Sequence, residues 1–167
     1  LILVSGTYLI KEKLLSLNPR IGMLNLHTGL SPYIKGGPNC TNWCLATRQF
    51  HLIGNTVMWL NKGIDSGNIL VSECTPLTGE ESLSALHLKV MNHAHDLYLR
   101  ALQFIAEGKH QSIPQKEIAA GRTFFSREWT LKQKINAVRN FKTFREYFKS
   151  GSAERERKKV QCITLIR

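Results

Sequence analysis

Four apolar residues open the chain, and they constrain its fold more than any other feature. Leu1 to Val4 form an unbroken apolar run that ends at Ser5-Gly6-Thr7. Such a run, without alternation, is the pattern of a strand buried on both faces and feeding a turn. Lys11 to Leu17 reads as a short helix stopped near Asn18-Pro19, and Gly22 to His27 as a second strand with Met23, Leu24 and Leu26 apolar. Strand, helix and strand at this spacing predict a parallel crossover unit in an α/β fold. A buried strand needs neighbours on both edges for its backbone groups. The sequence begins on such a strand and not on Met. Further strands are therefore expected ahead of it.

The remaining pattern continues the α/β reading. His27 to Pro38 is a loop rich in Gly and Pro, and Asn39 to Thr47 reads as a helix. Asn55 to Asn61 and Ile69 to Cys74 read as strands joined by a turn with two glycines, a hairpin with a long loop. Thr78 and Glu81 fit a capping box for a helix running to about Glu107. Its stripe is Leu83, Leu86, Val90, Ala94, Leu97, Ala101 and Phe104, with Gly108 as the stop. After a polar connection, Arg122 to Phe125 reads as a short strand or turn. Thr130 caps a last helix, whose apolar face is Leu131, Ile135 and Val138.

Composition narrows the class. No apolar run is long enough to span a bilayer, and the opening run lacks the flanks of a signal peptide. A cytoplasmic protein without a membrane partner is expected. Cys40, Cys44, Cys74 and Cys162 are too few and too unevenly spaced for a disulfide framework. Cys40 and Cys44 share a helical face but lack a second ligand pair, so packing inward is the better reading and no metal is expected. The net charge of +11 is concentrated in residues 122–167, which hold 13 Lys/Arg against 4 Asp/Glu. That surplus reads first as a solvated helix face and second as an attractor for phosphates. Nucleic acid is not the expected partner.

Two places can carry chemistry. Asn25 and His27 lie two apart at the end of the second strand, so they point to one side, beside an open Gly/Pro loop. Asp65 lies between Gly63 and Gly67, which let the backbone bend and approach a ligand. It reads either as an Asp bonding its own turn or as a carboxylate that orients His27 and stabilises its charged form. His87, His93 and His95 read as surface or packing residues, and Trp43 and Trp59 as core.

These residues bring the chain to a resemblance. Asn25-Leu26-His27-Thr28-Gly29-Leu30-Ser31-Pro32, followed by Tyr33-Ile34-Lys35-Gly36, resembles the Asn-x-His…Leu-Pro…Gly signature of the folate-dependent formyltransferases. That family includes glycinamide ribonucleotide, methionyl-tRNA and sugar-nucleotide formyltransferases. Thr56 to Trp59 followed by Gly63-Ile64-Asp65-Ser66-Gly67 is similar to the family's second signature, at a gap of 38 residues from His27. Thr28-Gly29 stands where the family usually has Pro-Ser, and Ser31-Pro32 where it usually has Leu-Pro.

The resemblance implies a truncated Rossmann-like fold with a mostly parallel sheet and flanking helices. Residues 1–108 would be the catalytic core, lacking its first strands, and residues 109–167 a basic, mainly helical extension. It implies 10-formyltetrahydrofolate as formyl donor and a small-molecule amine as acceptor, favouring a nucleotide-linked amino sugar, in a chain that could form a homodimer. Asn25, His27 and Asp65 would be catalytic. Gly6, Thr7, Tyr8, Leu9, Ile10 and Ile64 would hold the folate, and Thr28, Gly29, Lys35, Arg122 and Arg127 the acceptor. The rival readings are a hydrolase of the same family, formyl transfer to glycinamide ribonucleotide or methionyl-tRNA, and a basic binding module without catalysis.

Overall fold

Four strands form the main sheet. A computed structural model describes residues 1–7 and 10–165. The strands are β1 (Ile2–Ser5), β2 (Met23–His27), β4 (Gly54–Trp59) and β5 (Ile69–Cys74). β1 and β2 pair in parallel around the short helix α1 (Glu12–Leu15), as the opening pattern predicts. The other two pairs, β2 with β4 and β4 with β5, are antiparallel. The sheet is therefore mixed, which corrects the mostly parallel expectation. The short β4–β5 connection permits only antiparallel pairing, and the long segment between β2 and β4 brings β4 in against β2 in the opposite direction as well.

The period-two alternation of β2 sorts its side chains cleanly. Leu24 and Leu26 face the long helix α3 (Leu83–Ala106) and join Val57, Val71, Ala94, Leu97 and Ala101 in one apolar cluster. Asn25 and His27 therefore stand on the other face. The α3 stripe is buried from Leu86 to Phe104, while Leu83 is 39% exposed in the first turn. The helix is capped one residue before Leu83: Ser82 Oγ accepts from Ala85 N. Glu81 instead accepts from Thr78 and Gly79 in the preceding turn, so the expected capping box shapes the entry and not the helix itself.

The face carrying Asn25 and His27 is built over by later parts of the chain. Helix α2 (Cys40–Ala46) follows the Gly/Pro loop, with Asn39 Oδ1 accepting from Asn42 N as its cap. Within that loop, β3 (Ile34–Gly36) pairs in parallel with β6 (Arg122–Phe124), a second small sheet. Trp43, on α2, stacks on Phe124 at 4.4 Å between ring centroids. Helices α4 (Leu131–Phe141), α5 (Phe144–Lys149) and α6 (Ser152–Arg157) complete the C-terminal part.

The packing of α4 differs from expectation. Leu131, Ile135 and Val138 face solvent, at 71%, 57% and 61% exposure. Ala137 is the buried residue, and Asn140 Nδ2 donates to the carbonyls of Leu45 and Ala46 at the end of α2. Thr130 precedes the helix without a side-chain capping bond. The last described segment returns to the sheet: Ile163 exchanges hydrogen bonds with Ser72 and packs against Met58 and Ile69. Among the described residues no helix is long and apolar enough to cross a membrane.

Candidate active site

A cavity of about 550 Å³ opens at the His27 end of β2. This falls in the range of small-molecule sites, roughly 300–1,000 Å³. Asn25, His27 and Asp65 all line it. Asp65 is brought there by the turn between β4 and β5. Its Oδ2 lies 3.5 Å from His27 Nδ1, and its Oδ1 lies 3.5 Å from Asn25 Nδ2. The amide of Gly36 donates to Oδ2 at 2.9 Å. The carboxylate is thus shared by an imidazole, a side-chain amide and a backbone N–H, with the ring and the carboxylate both largely buried.

The turn is unusual in its backbone. Asp65 has φ 44°, in the left-handed region that costs most residues roughly 1–2 kcal/mol. Gly67 is fixed by space: a Cβ there would lie 1.6 Å from the Trp59 carbonyl oxygen. The Gln115 side chain closes the turn from below, donating to the carbonyls of Asp65 at 2.7 Å and Gly67 at 2.9 Å.

The imidazole is held on its second nitrogen as well. His27 Nε2 lies 3.4 Å from the Ile34 carbonyl and 3.5 Å from Cys40 Sγ. Burial pushes the Cys40 thiol well above its ordinary pKa, with Cys44 and Asp65 adding to the rise, so Cys40 stays a neutral thiol. Cys44 packs in the core behind it, pushed up to about 12 by burial. Gly29 sits under the ring, where a Cβ would come 2.4 Å from His27 Nε2 and 2.8 Å from Cys40 Sγ. Its carbonyl accepts from Thr56 Oγ1 at 2.8 Å, and Thr56 Oγ1 accepts from Ser31 N at 2.9 Å. A threonine on the strand beside β2 thereby fixes the path of the loop.

Gly6, Thr7, Ile10 and Ile64 line the same cavity as the reacting trio. Tyr8 and Leu9 lie outside the described residues. Of the expected acceptor residues, Thr28 lines the cavity, and Gly29 lies behind His27. Lys35, Arg122 and Arg127 are not part of its wall. Lys35 is on β3 opposite Thr123. Arg122 lies over the Phe124 ring at 4.4 Å and meets Glu128 at 3.4 Å, and Arg127 lies over Phe125 at 5.2 Å. Phe124, Phe125 and Ser126 do reach the cavity. Sequence reasoning misses Gln115 and Phe125, and names Cys40 only as a packing residue and Thr56 only as part of a signature. Only Phe125, an aromatic beside two arginines, leaves a trace that pattern could have found.

A family model described as formyl transferase matches residues 1–102. The chain belongs to the formyl transferase family. A methionyl-tRNA formyltransferase of Syntrophus aciditrophicus (strain SB) is 33% identical over 99 residues, 59% of this chain and 31% of its own length. One of Staphylococcus aureus (strain MW2) is 30% identical over 128 residues, 77% of this chain and 40% of its own. The chain thus spans about a third to two-fifths of the length of these relatives. Among solved structures, the formyltransferase PseJ from Anoxybacillus kamchatkensis aligns with TM-score 0.65 and 21% identity, covering 76% of this chain and 65% of that one. That structure is a complex with UDP-4,6-dideoxy-4-formamido-L-AltNAc and tetrahydrofolate. A 4-N formyltransferase from Francisella tularensis aligns with TM-score 0.64 and 20% identity, covering 83% of this chain and 59% of that one. At this identity the two structures speak for the fold alone.

Proposed function

We infer that the chain carries the reacting centre of a formyl transfer from 10-formyltetrahydrofolate to the primary amine of an amino-sugar nucleotide. The observation that carries this reading is the convergence of Asn25, His27 and Asp65 at one end of a single cavity. The lining supports this reading of the donor: Val4, Ile10, Leu60 and Ile64 give the cavity apolar walls, and the polar trio lines the same cavity.

When bound, the donor supplies an activated formyl carbonyl whose oxygen gains negative charge as the amine attacks. Asn25 Nδ2 is the preorganised N–H donor for that charge. Its 3.5 Å contact with Asp65 is weak enough to give way to a shorter one. Protonated His27 adds a second stabilising group and passes a proton to the departing nitrogen. Asp65 holds the Nδ1 side of the ring and takes up the proton that the amine loses. Neither a metal nor a covalent enzyme intermediate is required by these roles.

On the acceptor side, Thr28 meets the sugar in this reading. Phe125 lines the cavity, and Arg122 and Arg127, which lie over the lining residues Phe124 and Phe125, are the cations this reading assigns to a diphosphate. Sugar-nucleotide complexes among the similar structures support this choice. Methionyl-tRNA is the second reading, favoured by the curated relatives at 30–33% identity.

The test offers the full chain 10-formyltetrahydrofolate with an amino-sugar nucleotide, with methionyl-tRNA, or with no acceptor. A formamido sugar is the expected product. Formylated methionyl-tRNA would move the assignment to the second reading, and free formate without acceptor would make the chain a hydrolase. Wild-type rates in Asn25→Ala, His27→Ala and Asp65→Ala alike would refute the proposed centre.

A further inference from the structure

Asp65 arrives from a turn, and one buried anchor of that turn comes from beyond the stretch that the family model matches. Gln115 opens a one-turn 3-10 helix (Gln115–Glu117) behind Pro114 and is 7% exposed. Its amide nitrogen donates to two carbonyls, Asp65 at 2.7 Å and Gly67 at 2.9 Å, on either side of Ser66. Both carbonyls belong to a turn and have no ladder partner, so a buried donor matters to them. The amide oxygen has no hydrogen-bond partner among the described residues. Both of the side chain's strong hydrogen bonds therefore go to the turn.

The donor is itself fixed in place. Ile113 and Ile69 exchange backbone hydrogen bonds at 2.9 Å in both directions. Ile69 is the first residue of β5, the strand that leaves the turn. The clamp thus runs from β5 through Ile113 to Gln115 and back to Asp65, a closed circuit around the loop. Left-handed backbone at a non-glycine residue persists only where its surroundings hold it. Here Gln115 holds the main chain, and Gly36 N holds the carboxylate.

We propose that Gln115 is the positioning residue of the reacting centre. By holding the Asp65 turn in its left-handed form, it sets the carboxylate against both His27 and Asn25. The segment after α3 thereby completes the site. This deepens the formyl-transfer reading and rests on it for its catalytic consequence, though the clamp itself is a structural claim.

The experiment uses Gln115→Met, which keeps length and shape but donates nothing, and Gln115→Glu, which puts an acceptor where the donor stood. Backbone amide exchange and formyl-transfer kinetics are measured on the full chain. Gln115→Met is expected to raise exchange at residues 61–68 by about tenfold or more while α3 stays protected. Its kcat should fall about tenfold to a hundredfold, as for a small misplacement of a reacting group. Gln115→Glu should recover activity as pH falls and its carboxyl protonates into a donor, a limb absent from the wild type. Unchanged exchange in the turn, or loss of activity without that acid limb, overturns the proposal. A wild-type chain that transfers no formyl group removes the functional reading instead, and the exchange result still decides the clamp.

Discussion

The two sides of the reacting centre are built by different physics. Asn25 and His27 stand on β2, hydrogen-bonded to strands on both edges and backed by α3. Asp65 stands on a turn in left-handed backbone, with the Gly36 amide on its carboxylate, the Gln115 side chain on its carbonyl, and Asn61 Oδ1 accepting from Gly63 N and Ser66 Oγ inside the turn. The strand side is placed by the cooperative folding of the sheet. The turn side is placed by a few hydrogen bonds, some local from Asn61 and others from Gly36 and Gln115, which are distant in sequence. Changes on the strand side should therefore remove chemistry without loosening anything. Changes around the turn should loosen alignment first and lose chemistry as a consequence.

The sharpest way to break this contrast is His27→Ala. It should lower kcat/KM about 10³-fold, in the range of a lost acid-base group, while thermal unfolding shows the sheet intact. Asn25→Ala follows, with about a hundredfold loss confined to kcat, as for one missing oxyanion donor. Asp65→Asn keeps the shape and an oxygen for the Gly36 amide but removes the charge, and should cost about a hundredfold or less. Gly29→Ala tests the floor beneath His27. A Cβ 2.4 Å from the ring nitrogen forces the imidazole aside, so activity and stability fall together, the latter by about 1–3 kcal/mol.

The smallest effect lies far from the site. Burial opposes the charged form of Glu81. Even so, Lys89 at 2.8 Å and the amides of Thr78 and Gly79 bring its carboxyl down to about 2. Its folded pKa is below the unfolded value, so its contribution is complete above about pH 4.5 and fades as pH falls toward 2. Glu81→Gln should lower stability at pH 7 and flatten its loss in that acid window, with transfer activity unchanged.

The strand side was largely legible in the sequence, and the turn's supports were not. β5 runs over the residues its apolar pattern marks, and the α3 stripe is buried from Leu86 onward because period and burial coincide. Asn25 and His27 share a face because a strand alternates, which needs no tertiary information. Strand direction is different. It depends on where β4 lands, and the chain between β2 and β4 is long enough for either sense. β6 falls where the sequence reads a short strand or turn, whereas β3, three residues inside the Gly/Pro loop, shows no alternation to read. On α4 Leu131, Ile135 and Val138 point outward because the contact with α2 uses the small Ala137 and the Asn140 amide, which lie off the face those three residues mark. Gln115 lies in a polar connection where nothing local distinguishes it from its neighbours. Its importance comes only from the two carbonyls that the fold brings beneath it.

A double-mutant cycle on kcat/KM with His27→Ala and Asp65→Ala tests the core of the account most directly. If imidazole and carboxylate work as one unit, the double variant should be no slower than His27→Ala alone, within about threefold. A double variant slowed by the product of the two single losses would mean that the groups act independently, and that their convergence in the cavity is not what drives the transfer.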